Sequence, residues 1–488
     1  MQIFLQYSHQ VQVFSHIPLI RETSIQEAWG EFNWRNFLNN RWIDTSDPVG
    51  SALTTGGPPR YRNNQWEGDF GARRKNQLGG QVELRHEMGF QNTNSLFFVP
   101  SPQGTSRLVL NYTQPILNGA GKPYNTGLIV LAKIDAAAAR DEFSRQLQSH
   151  LLEVARAYWS LYRERSRLVQ LNRLYQSARE IEGKLQARRD IDAARSQLVR
   201  VQAAVAERRS EIIRQEAAIK NAEARLRSLV NDPSLGVYDV EFVPRYVPSR
   251  TYVPVDLQAA RSTAMAYRPE LMQTLKQIRA ASVRVNMAEN EILPALNLVL
   301  ETYVAGLRGD TNIGGAWRDQ FSKGEPSYTL GVQFEYVLCN DAARARLKRR
   351  ELERRQLQSQ FETSVATLML EVEVAVRELE TAYSEITAKY QAMQASRAEV
   401  EYMTDRWELL PGEEQAAPLY LDNLLQAQAR QALAEAGFAD AEFTYNLAQL
   451  NLKRATGTLL QDEQVTQARV CIDGLPAIDL HRPVGSQR

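Results

Sequence analysis

The chain has 488 residues, of which 24% are charged and 43% are hydrophobic, and its net charge at neutral pH is +1. This balance excludes a basic footprint for nucleic acid or for anionic lipid headgroups. No apolar run reaches the roughly 18 residues of a membrane-spanning helix, but the strands of a spanning β-barrel need only about 10 residues that are half apolar. The N-terminus lacks a basic region, an apolar core and a cleavage site, so no secretory signal is predicted.

The N-terminal part of the chain predicts little regular structure. Residues 1–31 hold at most a short helix, and the segment 46–106 is rich in Gly, Asn, Pro and Arg. Such composition predicts a long, partly hairpin-forming loop. A clearer strand follows at 107–116, because Leu108, Leu110 and Tyr112 alternate with Asn111 and Thr113. We therefore predict a first strand pair with a long extracellular loop over residues 32–116.

The middle of the chain is predicted to be helical. Residues 117–230 contain long stretches without proline and form a first helical hairpin, and 231–268 is a short mixed segment with several prolines. Pro269 then begins a helix over 269–293, because the fixed φ of proline suits the first helical turn.

A second strand pair is predicted over residues 294–338. Its last part, SYTLGVQFEYVL, has an apolar parity of Tyr328, Leu330, Val332 and Phe334, and a polar parity that includes Gln333 and Glu335. Polar atoms that face hydrocarbon cost several kcal/mol. If the strands enter a membrane, the apolar sets of both strand pairs face lipid, and the polar set faces a lumen: Asn111, Thr113, Gln333 and Glu335.

A second helical hairpin is predicted over residues 339–460, followed by an irregular tail at 461–488. From Asn340 to Leu410 there is no Gly or Pro, and apolar residues recur at alternating spacings of three and four. A helix of roughly 65 residues would be about 100 Å long. An apolar-faced strand that runs into so long a helix indicates a membrane barrel joined to a helical tube. Motifs near Leu152 and Asp192 recur near Leu370 and Asn423, which indicates an internal duplication.

These stretches resemble the TolC-type outer-membrane efflux proteins. The matching segments are YTQPILNGAG (112–121), the Tyr267–Glu270 helix start, ILPALNLVLETY (292–303) and NDAARARLKRRELERRQ (340–356). The resemblance implies a mixed α/β membrane protein in which long antiparallel helical hairpins form a coiled-coil α-barrel, continuous with a transmembrane β-barrel of four strands per protomer. It also implies a homotrimer in the outer membrane that conducts substrates passively from a periplasmic adaptor and an inner-membrane pump, without catalysis or cofactor.

Two departures from the family pattern shape further expectations. The second strand-to-helix join is Val337-Leu338-Cys339 where the family usually has Pro-Leu-Gly. The family also has a signal and a long first helix, of which residues 1–31 would be only a remnant, so the chain is expected to be N-terminally truncated and Met1 not to be the natural start. Alternatives are a truncated, non-conducting paralogue and a soluble coiled-coil scaffold.

The ends of the two hairpins are predicted to dock the adaptor, because they lie farthest from the strands. The predicted docking residues are Asp190, Asp192, Leu410, Pro411, Gly412, Leu421, Leu424 and Leu425. The alternative is that the leucines only pack against the neighbouring arm.

Other candidate sites have simpler interpretations. His150 is predicted to be a packed, hydrogen-bonded core residue rather than a metal ligand, and Cys339 a small filler rather than a reactive thiol. The basic cluster at 344–355 is predicted to be a solvated helix face, with an electropositive neck as the alternative. The sequence has no Ser/His/Asp arrangement, HExxH or CxxC, so neither catalysis nor a metal site is predicted.

Overall fold

The computed structural model describes residues 2–188, 195–233, 240–409, 417–472 and 475–481. Two compact units divide the chain. The first comprises residues 1–19, 139–274 and 360–488, and the second comprises residues 20–138 and 275–359. Long helices run from one range into the next, so each unit is built from separate parts of the sequence.

The second unit contains one antiparallel sheet of six strands, joined in sequence order. The strands are β1 (Arg35–Pro48), β2 (Arg60–Lys75), β3 (Gln81–Thr93), β4 (Gln103–Pro115), β5 (Ala295–Gly309) and β6 (Ser327–Glu335). Each strand pairs with the next one in the chain. The described part of the chain gives β1 and β6 one neighbour each, so both are edge strands.

The expectation of four strands per protomer is wrong, because the segment predicted as a long loop contributes β2 and β3. In β2 the alternate residues on the apolar side are interrupted by Gly68 and Ala72, and those on the other side are almost all polar. The alternation in β3 is more regular, with Val82 and Leu84 beginning the apolar parity. The many Asn, Gly and Arg residues that indicate loops in isolation are here strand residues held by pairing on both sides.

The strand register places the start of β1, the end of β4, the start of β5 and the end of β6, where the chain leads to the long helices, at one end of the sheet. Arg35 pairs with Arg73, Pro115 with Asn297, and Ala295 with Glu335. The opposite end carries a helix, α8 (Ile313–Ser322), where the sequence predicted only a Gly-rich loop. Asn312 caps α8, because its Oδ1 accepts a hydrogen bond from the Gly315 amide at 2.7 Å.

Helices, several of them long, make up most of the remaining described structure. They are α1 (Gln2–Tyr7), α2 (His9–Trp29), α3 (Lys122–Asn125), α4 (Gly127–Ala187), α5 (Arg195–Val230), α6 (Leu257–Tyr267), α7 (Pro269–Glu291), α9 (Asp341–Leu409) and α10 (Ala417–Ala455). In the described residues, no helix has both the length and the apolar character needed to cross a bilayer.

The apolar seam predicted for α9 is confirmed within the first unit. Leu368, Val372 and Ala375 pack with Ala264 of α6 and Leu271 of α7 in one buried cluster. Further along, Leu379, Ala382 and Ile386 pack with Tyr445 and Phe438 of α10. Spacings of three and four keep these residues on one stripe of the helix, and that stripe faces the neighbouring helices.

Arg268 connects three helices of the first unit at the start of α7. Its buried guanidinium donates to the carbonyl oxygens of Arg454 and Ala455, at 3.3 and 3.2 Å. It also forms ion pairs with Glu270 at 3.1 Å and with Glu371 at 2.5 Å. The buried charge is therefore surrounded by acceptors, and its N–H groups satisfy two carbonyl oxygens at the end of α10.

The tail predicted as irregular is partly ordered. After the short helix α11 (Leu459–Asp462), β7 (Thr466–Ile472) and β8 (Leu475–His481) form a two-stranded antiparallel sheet. Leu459 and Leu460 of α11 and Leu480 of β8 pack with Phe143 and Leu147 of α4. Contacts with a distant part of the chain therefore order a segment that has weak local signals.

The prediction that Cys339 is a small filler at the strand-to-helix join is wrong, because the side chain is exposed. The residue lies between β6 and α9 with φ of 68°, in the left-handed region that glycine adopts without a Cβ clash. Cys339→Gly is therefore expected to raise the free energy of unfolding by up to about 1 kcal/mol. Cys339→Val should lower it, since β-branched residues tolerate positive φ poorly. Urea midpoints of the three proteins test this expectation, and equal midpoints would contradict it.

Candidate functional site

The six-stranded sheet separates apolar from charged side chains. Residues opposite each other in an antiparallel pair project from the same face. Tyr112 is opposite Leu300, and Leu300 is opposite Leu330. We call the face with these residues the apolar face. Asn111 precedes Tyr112 in sequence and Glu301 follows Leu300, so these two residues, which are opposite each other, belong to the other face. We call it the polar face.

The apolar face carries large side chains that the protomer leaves open. On β6, Tyr328 is 78% exposed and Phe334 is 63% exposed, and on β1 Leu38 is 76% exposed. An aromatic row crosses the first three strands, because Trp42 is opposite Trp66 and Trp66 is opposite Phe90. Apolar patches this extensive on a folded chain mark a surface that is covered by a partner or by lipid.

The polar face carries opposite charges in close pairs. Arg85 forms an ion pair with Glu87 at 2.9 Å, and the Arg107 guanidinium lies 3.6 Å from the centre of the Tyr303 ring. Further pairs join Arg41 to Glu67 and Arg107 to Glu301. Four of these charged residues, Glu67, Arg85, Glu87 and Arg107, line a cavity of about 700 Å³. Because the pairs are well exposed, they add little stability, and their main effect is a hydrated surface of mixed charge.

The strand residues predicted to face a lumen all lie on the polar face, and those predicted to face lipid all lie on the apolar face. Residues on the polar face are Asn111, Thr113, Gln333 and Glu335, and those on the apolar face are Leu108, Leu110, Tyr112, Tyr328, Leu330, Val332 and Phe334. The register connects β4 to β6 through β5, so both strand pairs share one apolar side. That this side faces lipid, and the other a lumen, stays a prediction.

The described ends of the helical hairpins form a buried apolar cluster within the first unit. Leu421 and Leu424 of α10 are fully buried with Trp407 of α9, Leu185 of α4 and Val201 of α5, and Leu425 is partly buried beside them. This packing favours the alternative in which the leucines stabilise the hairpin ends. The other predicted docking residues lie outside the described residues: Asp190, Asp192, Leu410, Pro411 and Gly412. Docking at these ends stays a prediction.

The buried guanidinium of Arg208 joins three helices near the same cluster. Arg208 of α5 donates to the carbonyl oxygen of Leu174 at 2.8 Å and to Gln428 Oε1 at 3.1 Å. Burial lowers the pKa of Arg208 to about 10, while Glu211 and Glu207 oppose the change. The side chain therefore stays charged at neutral pH and holds α4, α5 and α10 through neutral acceptors.

His150 is a packed core residue, as predicted. Its Nε2 lies 3.2 Å from Ser8 Oγ, and its ring packs edge-on against Phe14. Burial lowers the pKa of His150, with Glu153 opposing the change. Within the described residues, no group of His, Cys, Asp and Glu side chains is placed to hold a metal ion. In the basic cluster, Arg346 lies 3.7 Å from Glu291 and Arg350 lies 2.8 Å from Glu353, on partly exposed helix surfaces.

A buried carboxyl on α10 is expected to make the stability of the first unit depend on pH. Glu442 accepts a hydrogen bond from Arg250 Nε at 2.5 Å, yet burial raises the pKa of Glu442 and the Arg250 charge only partly opposes this. A raised folded-state pKa favours the protonated form, so this group stabilises the fold below its ordinary pKa. That contribution is lost as the pH rises through the folded-state value.

Glu442→Gln is therefore expected to stabilise the protein relative to the parent at neutral pH more than at pH 4. The amide preserves an acceptor for Arg250 but has no charge to bury. Urea midpoints of both proteins across this pH range provide the measurement. A difference between them that does not change with pH would contradict the expectation.

The six-stranded sheet has one apolar and one charged face, and it is continuous in sequence with helices of 61 and 69 residues. Residues 260–458 match the model of the family described as outer membrane efflux protein. The comparison with curated protein sequences gave no match. The resemblance to TolC-type outer-membrane efflux proteins is confirmed by this match and by similar solved structures.

Three solved channels illustrate the similarity. The outer-membrane channel OprN aligns with a TM-score of 0.67 at 14% identity, covering 93% of this chain and 88% of its own. CmeC of Campylobacter jejuni aligns with 0.65 at 12% identity, covering 94% and 84%. VceC of Vibrio cholerae aligns with 0.64 at 14% identity, covering 93% and 94%. The fold of the chain is therefore that of an outer-membrane efflux channel.

Proposed function

We propose that the protein is the outer-membrane duct of a tripartite efflux or type I secretion system, conducting substrates passively to the exterior. The observation that carries this proposal is the sheet with two opposed faces. An apolar face of exposed Leu, Val, Phe, Tyr and Trp suits acyl chains, and a face of paired charges suits water. The apolar residues lie in lipid and the polar residues line the lumen, as the strand alternation predicts.

Closure of the sheet requires further copies of the chain. The described part of β1 pairs only with β2, and that of β6 only with β5, so both edges expose backbone donors and acceptors. Open sheet edges are not tolerated in hydrocarbon. Three protomers with six strands each would close a barrel of 18 strands. Barrels of roughly this size enclose an aqueous channel rather than a packed core.

The helical hairpins are proposed to contact the periplasmic adaptor, which in turn is supplied by an inner-membrane pump. This part of the proposal rests on the family resemblance and on the long helices that run from the sheet. Passive conduction is what the family resemblance implies, and the charge pairs of the polar face suit a hydrated channel wall.

The test is a mass measurement in detergent together with conductance in planar bilayers. We expect a homotrimer that forms ohmic channels wider than those of a 12-stranded relative measured alongside. A protein that is soluble without detergent would instead be a scaffold. A trimer that inserts without conducting would be a closed paralogue, and a stable monomer with full β signal would contradict strand closure.

A further inference from the structure

Helix α8 lies on the apolar face of the sheet with an inverted distribution of side chains. Its sheet-facing residues are small or polar, namely Gly315, Ala316 and Gln320, and all three are buried. Its outward side carries Trp317, which is 48% exposed, and Phe321, which is 57% exposed. A surface helix in water normally shows the opposite arrangement, with its apolar stripe against the core.

The sheet is shaped to receive this helix. A Cβ added at Gly306 would lie 2.1 Å from the carbonyl oxygen of Ala316, and one added at Gly104 would lie 2.7 Å from the carbonyl carbon of Asn312. No larger residue fits at either position without displacing α8. The close approach therefore belongs to the fold, and it fixes which side of α8 points outward.

The helix also covers a polar cluster on the otherwise apolar face. Ser106 Oγ donates to Gln320 Oε1 at 2.8 Å, and His86 Nε2 lies 2.9 Å from Ser106 Oγ. All three side chains are at least 90% buried. Uncovered, His86 and Ser106 would present polar atoms on the apolar face, where an unsatisfied group is costly in hydrocarbon.

The aromatic residues of α8 lie over strands that lack aromatic side chains of their own at the end of the row. The register continues the row Trp42, Trp66 and Phe90 to Gly104 and Arg308, so β4 and β5 supply no aromatic side chain at this level. Trp317 and Phe321 project from α8 over these same strands and pack edge-on, with their ring centres 5.5 Å apart. Trp317 and Phe321 therefore add exposed aromatic side chains over strands that carry glycine or arginine there.

We infer that α8 is an interfacial anchor whose Trp317 and Phe321 insert between lipid molecules at the outer rim of the membrane. The helix lies at the end of the sheet opposite the helix junctions, which is the exterior end in the proposed function. Tryptophan and other aromatic residues favour the boundary between headgroups and acyl chains, where an apolar ring and a polar edge are both solvated. The inference rests on the proposed function, because it requires the sheet to be in a bilayer.

The test uses the whole protein reconstituted in phosphatidylethanolamine–phosphatidylglycerol vesicles doped with brominated phosphatidylcholine. The contributions of Trp317 and Trp42 to the emission are obtained by subtracting the spectra of Trp317→Phe and Trp42→Phe. We expect the Trp317 emission to be lost with bromines near the glycerol end of the acyl chains, to be affected less by bromines near the methyl end, and to resist aqueous iodide. A Trp317→Phe/Phe321→Trp variant provides a second reporter on the same side of α8.

The control residue separates the two possible failures. Trp42 is on the apolar face independently of α8, so it reports whether the sheet is in lipid. If lipid bromine quenches Trp42 while both α8 reporters are quenched only by iodide, α8 faces water and the inference is overturned. If bromine quenches none of the three, the membrane insertion in the proposed function is overturned as well.

Discussion

Leu330→Arg is expected to prevent assembly of the trimer in the membrane. Leu330 lies near the middle of β6 on the apolar face and is 73% exposed in the protomer. An arginine facing the bilayer midplane costs about 2–4 kcal/mol in a transmembrane barrel. This cost recurs in each of the three proposed protomers. The measurement is the trimer fraction recovered from outer membranes on a gel without heating.

Thr329→Arg is the matched control for that substitution. It places the same side chain one residue away, on the polar face and opposite Glu301, where an ion pair can form. Trimer yield should be near that of the parent, and only the ion selectivity of the channel should change. Equal losses in both variants would contradict the assignment of lipid to the apolar face.

Leu421→Ser is expected to unfold the end of the hairpins rather than remove a docking contact. Leu421 is fully buried against residues of α4, α5 and α9. Truncating a buried leucine costs about 2–5 kcal/mol, and an unpaired hydroxyl adds to this cost. We expect faster hydrogen exchange and proteolysis of the hairpin ends, with loss of adaptor binding as a consequence. Leu424→Ser should behave in the same way.

Leu419→Ser distinguishes the two roles of this region. Leu419 is in the same turn of α10 but is 59% exposed, so the same change should alter stability by no more than about 0.5 kcal/mol. Loss of adaptor binding in Leu419→Ser would identify an exposed docking contact. If Leu421→Ser is proteolysed at the rate of the parent protein but no longer supports export, the structural role is contradicted. The docking hypothesis would then be restored for the buried leucines.

The sequence by itself determined the regular parts of this protein. The seam of α9 was predictable because spacings of three and four place residues on one helix stripe, whatever the stripe packs against. The two faces of β4, β5 and β6 were predictable because the period of two fixes which side chains share a face. Segment motifs also indicated the efflux family, which the match over residues 260–458 supports.

Tertiary structure decided the strand number. The segment containing β2 and β3 has a local composition typical of loops, and its strands form because each has a partner on both sides. The inferred duplication also suggested equal halves, whereas the first half contributes four strands to the six-stranded sheet and the described residues of the second half contribute two. Local periodicity cannot reveal an inserted hairpin that is stabilised by neighbours distant in sequence.

Tertiary structure also decided what the exposed and buried apolar residues do. A leucine at helix spacing suits a core and a docking surface equally well, so only the packing of α4, α5 and α9 around Leu421 showed that it is buried. Likewise, α8 reads as a Gly-rich loop because its stability comes from docking on Gly104 and Gly306. Sequence fixes which residues share a face, but burial depends on what the folded chain places opposite that face.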